Sequence, residues 1–400
     1  MNSIIFVYSS ETVSSKTTDF VYLESYSSLS VRNHAYFQRK DLKPGKWFYL
    51  RAPKMFMEKI YPKLTHRLGD FAEIKFGIKT GANDFFYMKD ISSEFETDFL
   101  SSKAHPKWTG LTATNEVELK KQGYLYAENE IGERFILEAK NTAPLLRSIK
   151  DYDTPHILRE TTRICLLLQS EERGKEQFTA RYIAWGESKK IFVNRGAKKG
   201  SIKGYNNLST VKARTPWFVL PQLRPAHVAM PELYSMRFLT LYSEKPVIAD
   251  HLFDVAYTNS NLDEKSLFFY LNSTLYFIML ELWSPRMGGG ALHPRTVDYK
   301  TIPVPDLSYI KSSLGNIEFG KRVTKIYLEE VKEVDRRALD KELLLSFGFG
   351  SEETETVLKS LYAEYLELVN DRLIKAEHGT ANRVLESESE KLIEDMQNED

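Results

Sequence analysis

Hydrophobic and polar positions change rhythm along the chain, and each rhythm predicts a different element. Ser3–Tyr8 (SIIFVY) and Asp19–Tyr26 (DFVYLESY) group β-branched and aromatic residues beside serine-rich breaks, the pattern of strands. Leu42–Leu50 (LKPGKWFYL) reads as a turn followed by an aromatic strand. From Lys59 to Phe76 the apolar residues fall at mixed spacing, so part of that stretch is expected to be helical. Between Gly77 and Pro305 the pattern is one of short strands and loops. Arg181–Glu187 (RYIAWGE) and Thr215–Leu223 (TPWFVLPQL) read as strands, and Lys245–Thr258 as two strands with a tight break. Asp263–Trp283 reads as one helix, opened by two acids that suit a helix N-terminus. It is apolar enough to be buried, and its Asn272-Ser273-Thr274 and Glu281 argue against a membrane span.

The tail differs in kind. Val323, Ile326, Tyr327, Val331, Val334 and Ala338 recur at helical spacing. Phe347–Ser351 (FGFGS) breaks that helix, with Ser351 as the expected N-cap of a second one carrying Leu358, Leu361, Tyr365, Leu368 and Leu373. After Glu377 the chain turns polar and is expected to fray. The fold class expected is α+β: a mixed α/β domain of short strands and loops with a C-terminal helical hairpin.

Charge sharpens this division. The 400 residues hold 55 Lys/Arg and 55 Asp/Glu, yet residues 321–400 hold 12 and 20, a net of −8 that leaves +8 on residues 1–320. A basic body beside an acidic tail is a partner signal hidden by the neutral total. Cys165 is the single cysteine, so no disulfide and no cysteine-based zinc site forms within the chain, which suits a reducing cytoplasm.

The densest feature lies between Glu187 and Glu232. Those 44 positions contain no acid and nine Lys/Arg: Lys189, Lys190, Arg195, Lys198, Lys199, Lys203, Lys212, Arg214 and Arg224. Phe192, Tyr205, Trp217 and Phe218 are interleaved, and Asn194–Asn207 has the glycines and asparagines of a loop. Lys and Arg neutralise phosphates, while Arg, Asn and Gln read base edges, so the composition suits nucleic acid. A solvated basic face is the plainer alternative.

Gly77–Phe86 (GIKTGANDFF) resembles a phosphate loop, but Lys79 and Thr80 precede the second glycine, the reverse of G-x-x-x-x-G-K-[ST]. It reads as a turn into a strand, with positive φ expected at Gly81 and Lys79, Thr80 and Asn83 presented. Met287–His293 (MGGGALH), preceded by Arg286, is a second loop that allows close backbone approach. Pro305-Asp306 and Glu330-Val331-Lys332 match a metal-nuclease pattern, but on a helix Glu330 and Lys332 point apart. The eight histidines form no i, i+4 pair, and no G-x-S-x-G or dinucleotide fingerprint is present. No metal site and no self-contained catalytic centre is expected.

Several stretches, in order, resemble the C-terminal specificity region of adenine-specific DNA methyltransferases of type II and type IIG restriction–modification systems. Phe71–Met88 (FAEIKFGIKTGANDFFYM) resembles a hallmark segment of that region. Tyr182–Glu187 (YIAWGE) resembles its strand ending in Gly-Glu, and Leu267–Leu282 (LFFYLNSTLYFIMLEL) its Leu-Asn-Ser helix. Gly288–Pro305 (GGGALHPRTVDYKTIPVP) resembles its glycine loop with an x-Pro-x-Pro close. Arg336–Phe349 and Leu361–Ala376 resemble its helical hairpin. The resemblance as a whole spans about Leu42 to Ala376.

The departure is equally informative. The family's Asn/Asp-Pro-Pro-Tyr/Phe motif and its glycine-rich S-adenosylmethionine loop have no counterpart, and the chain has no Pro-Pro dipeptide. Asn2–Ser10 is similar to the last strand of such a catalytic domain. The resemblance implies the specificity part of a split or truncated methyltransferase. Residues 1–41 would be remnant strands, 42–306 a DNA target-recognition domain, 307–378 a helical hairpin and 379–400 a charged tail. It implies double-stranded DNA and a methyltransferase catalytic domain or subunit as partners, and no cofactor in this chain, with S-adenosylmethionine held by the catalytic partner. The DNA contacts it implies are Lys79, Thr80, Asn83, Lys189, Lys190, Arg195, Lys198, Lys199, Lys203, Arg214 and Arg286. A metal-dependent nuclease and a scaffold built on the helical tail are the alternatives.

Overall fold

Ala72–Phe76 alternates buried Ala72 and Ile74 with exposed Glu73 and Lys75, the period-two pattern of a strand with one dry face. It forms one edge of a ten-stranded mixed sheet, and its charged residues suit an edge. This computed structural model describes residues 17–23, 31–38, 48, 51–102, 105–157, 161–193, 200–221, 223–259, 262–287, 290–310, 314 and 316–374. From that edge the sheet runs through Phe253–Thr258, Ala226–Pro231, Leu241–Ala249, Thr142–Leu146, Arg163–Leu166, Tyr87–Asp90 and Tyr124–Asn129 to Arg134–Glu138. Neighbours are antiparallel except where Leu241–Ala249 lies parallel to Thr142–Leu146 and to His156–Ile157. Thr17–Leu23 and Val31–Gln38 form a separate antiparallel pair. The architecture is α+β, as the sequence predicts.

Lys245–Thr258 forms the expected strands, Leu241–Ala249 and Phe253–Thr258, about a tight break at Asp250. Three other expectations are corrected. Arg181–Glu187 is helical, within Gln177–Ser188, because Phe178, Thr179, Tyr182, Ile183 and Gly186 bury one helical face. Within Thr215–Leu223, residues 215–221 form bends and turns with a single bridge, Val219 to Leu168, since Pro216 and Pro221 lack the N–H donors a strand requires. Asp263–Trp283 divides into Glu264–Leu271 and Thr274–Trp283. The division is capped: Ser273 Oγ accepts from Tyr276 N at 3.2 Å, and the Asn272 side chain bonds Thr240 N, Thr240 O and Phe268 O. Ser3–Tyr8 lies outside the described residues, as does Leu42–Leu50 apart from Phe48.

The tail stripe is also shorter than expected. Tyr327–Glu330 and Val334–Ser346 are separate helices, and Val323 and Val334 are exposed. The last helix, Ser351–Ile374, begins one residue early, with Gly350 O accepting from Thr354 N. These tail helices share one core with Phe56, the helices Glu264–Leu271 and Thr274–Trp283, and Tyr299. Asp340, buried in that core, accepts from Thr274 N at 2.8 Å, Thr274 Oγ1 at 2.6 Å and Tyr362 Oη at 3.1 Å. A second core gathers Phe85, Phe86, Tyr182, Tyr205 and Trp217.

Candidate nucleic-acid interface

The loop Gly77–Ala82 leaves the edge strand and turns into Asn83–Phe86, a single helical turn before strand Tyr87–Asp90. Gly77 is required by space: a Cβ there would lie 2.2 Å from Asp250 O. Gly81 takes φ +75°, which only glycine adopts freely. Thr80 is buried; its hydroxyl bonds Asn83 Oδ1 at 2.5 Å and accepts from Ala82 N at 3.1 Å. Beneath the loop, buried Asp250 accepts from Tyr87 Oη at 2.7 Å and from Arg147 Nη1 at 3.1 Å. Burial and that carboxylate push the Tyr87 hydroxyl far above its usual value.

An aromatic cluster fixes the loop from below. Phe85 stacks on Tyr182 at 4.5 Å and meets Trp217 at 4.8 Å and Tyr205 at 5.2 Å. Tyr182 Oη donates to Phe85 O at 2.7 Å. Gly186 admits the Phe85 ring, since a Cβ would sit 2.5 Å from it. Trp217 Nε1 donates to Glu187 at 2.9 Å. The stretches NDFF and YIAWGE are therefore two halves of one packing unit. Burial raises Tyr205 to about 12, so its hydroxyl stays neutral.

The acid-free segment is folded onto this unit. Lys190–Val193 and Gly200–Lys203 form a two-stranded antiparallel ribbon, pairing Lys190 with Lys203, Ile191 with Ile202 and Phe192 with Ser201. Directly opposed residues share a face. Ile191 packs on the aromatic core, so Lys190, Phe192, Ser201 and Lys203 occupy the outer face. Two lysines directly opposed repel each other. After the ribbon, Thr210 Oγ1 donates to Gly81 O at 2.6 Å and Arg214 Nη2 to Thr80 O at 2.5 Å, tying segment 208–214 to the loop. Burial lowers the Arg214 pKa, and its guanidinium lies over the Phe86 ring at 5.3 Å.

The expected contact residues thus divide. Lys79, Lys190 and Lys203 are exposed, and no carboxylate pairs with them among the described residues. Lys189 is half-buried and pairs with Glu133 at 2.6 Å. Thr80 and Arg214 spend their polar groups on holding the loop, and Asn83 is half-buried beside them. Arg286 lies elsewhere: 14% exposed, it pairs with fully buried Glu281 at 3.1 Å, and Glu281 also holds Arg372 at 2.9 Å. Arg195, Lys198 and Lys199 lie outside the described residues, at the ribbon's tip in sequence. Lys212, in the segment tied to the loop, and Asp84, just after the loop, are additional exposed charged residues. Lys212 was legible in the acid-free run; Asp84 was masked by its turn-forming role.

The nuclease pattern does not assemble. Glu330 is buried between Arg322 at 2.5 Å and Arg336 at 3.2 Å, and Lys325 N also donates to it at 2.9 Å. Desolvation opposes its charge, yet these partners hold its pKa below the usual value. Among the described residues no group of three or more His, Cys, Asp or Glu could hold a metal, and no helix is long and apolar enough to cross a membrane.

Residues 147–339 match the family model of the C-terminal domain of the type II methyltransferase M.Eco57I. The crystal structure of the type IIG restriction endonuclease BpuSI is similar in fold, with a TM-score of 0.51 at 13% identity over 86% of this chain. This chain spans 36% of that one. No curated protein matches. Residues 147–339 are thus similar to the C-terminal domain of a type II methyltransferase, and the fold is similar to that of part of a type IIG restriction endonuclease.

Proposed function

We propose that this chain binds double-stranded DNA sequence-specifically, as the recognition part of a restriction–modification methyltransferase. Adenine is the base methylated, and a catalytic domain or subunit supplies S-adenosylmethionine. The observation that carries the reading is the ribbon's outer face, where Lys190 and Lys203 stand opposed, exposed and without carboxylate partners among the described residues. Such a pair is relieved when an anion sits between the ammonium groups. A two-stranded ribbon also fits the major groove of B-DNA. Lys79 in the loop and Lys212 in the segment tied to it add further phosphate contacts on this reading, and Arg195, Lys198 and Lys199, which follow the ribbon's first strand in sequence, are proposed with them. On this reading Asn83 and Asp84 read bases, an amide on adenine and a carboxylate on the cytosine amino group.

The glycines give a reason to assign the cofactor to the partner. Gly77, Gly81 and Gly186 accommodate Asp250, Thr210 and Phe85 of the chain itself, so they form no open cradle for a nucleotide. Thr80 and Arg214 act by positioning the loop, and the tail helices steady the recognition region or dock the catalytic half. Selection of tight binders from a random duplex pool tests the reading: enrichment of one short motif is expected. Uniform recovery of all sequences would remove the specificity claim.

A further inference from the structure

The ribbon carries an apolar group where a purely electrostatic clamp has no use for one. Phe192 is 76% exposed, the most exposed large aromatic side chain among the described hydrophobic residues. It lies on the outer face, opposite Ser201 and two residues from Lys190, whose ammonium lies 5.7 Å from the ring centre. Lys203 stands opposite Lys190 on the same face. An exposed ring costs hydration energy while the protein is free. Of the other aromatics of the segment, Tyr205 and Trp217 are buried in the core and Phe218 packs against it half-buried. The surroundings of Phe192 are basic, which suits a polyanion and disfavours a second apolar protein face.

Resting on the DNA reading above, we propose that the outer face of the ribbon receives an opened base step. The Phe192 ring stacks on an unpaired or unstacked base, while Lys190 and Lys203 hold the flanking phosphates. Apolar side chains that enter DNA do so between base steps, and the energy spent in unstacking is recovered in contact with the ring. Opening costs least where pairing is already defective. The ligand class is therefore duplex DNA with a locally disrupted step, in preference to a continuous duplex.

The test compares one short duplex, fully paired, with the same duplex carrying a central abasic site. Base–aromatic stacking corresponds to roughly a 5- to 150-fold change in affinity. Wild-type protein is expected to prefer the abasic duplex by a factor in that range. Phe192→Ala brings the ratio close to one, and Phe192→Trp preserves it. Lys190→Ala weakens both complexes and leaves the ratio unchanged. Thermal midpoints equal to wild type establish that each variant is folded. A wild-type ratio of one, or an unchanged ratio in Phe192→Ala while both duplexes still bind, overturns this inference and leaves the DNA reading intact. Absence of binding to either duplex overturns both.

Discussion

Replacing Gly77 with alanine adds one methyl group where the chain has no room. The new Cβ would lie 2.2 Å from Asp250 O, 2.7 Å from Asp250 C and 2.8 Å from Ala249 O, whereas ordinary contact begins near 3.4 Å. All three obstacles are backbone, so no side chain can rotate aside. The loop would have to retreat from the Asp250 corner, weakening Gly77 N to Phe253 O at 2.8 Å and Ile78 N to Ala249 O at 2.7 Å. Forced packing costs about 1–3 kcal/mol and each weakened hydrogen bond about 1 kcal/mol, giving a loss of roughly 3–5 kcal/mol. Urea unfolding at fixed pH measures it. Gly200→Ala is the control, because nothing lies within 4 Å of that position and its φ is not left-handed; a change within about 0.5 kcal/mol is expected. A loss below about 1 kcal/mol for Gly77→Ala would refute the reasoning that the backbone at Asp250 leaves no room for a side chain at position 77.

Other perturbations probe the rest of the frame. Asp340→Ala leaves Thr274 N, Thr274 Oγ1 and Tyr362 Oη without their acceptor, and a loss of roughly 3–5 kcal/mol by urea unfolding is expected. Glu364 caps Met55 N and Phe56 N, and burial raises its pKa from 4.5 to about 7. A raised carboxylate pKa contributes stability fully below 4.5 and loses it as pH rises through 7, so the unfolding midpoint should fall between those values. Glu364→Gln should flatten that slope, and an unchanged slope would assign the pH dependence to other groups.

The sequence carried the strands with strong local patterns and the acid-free run. Lys245–Thr258 shows its break, and the glycine turn at Gly81 takes the left-handed φ expected of it. Helix Gln177–Ser188 was misread because the seven residues Arg181–Glu187 hold too little of its period. Extended back to Phe178, the buried positions fall at helical spacing. The division at Asn272-Ser273 was legible as a capping signal, but the hydrophobic run on either side outweighed it. Charge alone could not separate Lys190 from Lys189 or Arg286. Their exposure depends on Glu133 and Glu281, one distant in sequence and the other across a turn, and only the fold brings these partners in.

The central claim concerns the ribbon, and the salt dependence of duplex binding tests it most directly. Each phosphate contact contributes about 0.9 to the slope of log K against log salt. The account predicts that wild-type binding weakens steeply with salt, and that Lys190→Ala/Lys203→Ala lowers the slope by about 2. Wild-type binding that ignores salt, or a double variant that keeps the wild-type slope and affinity, would contradict it.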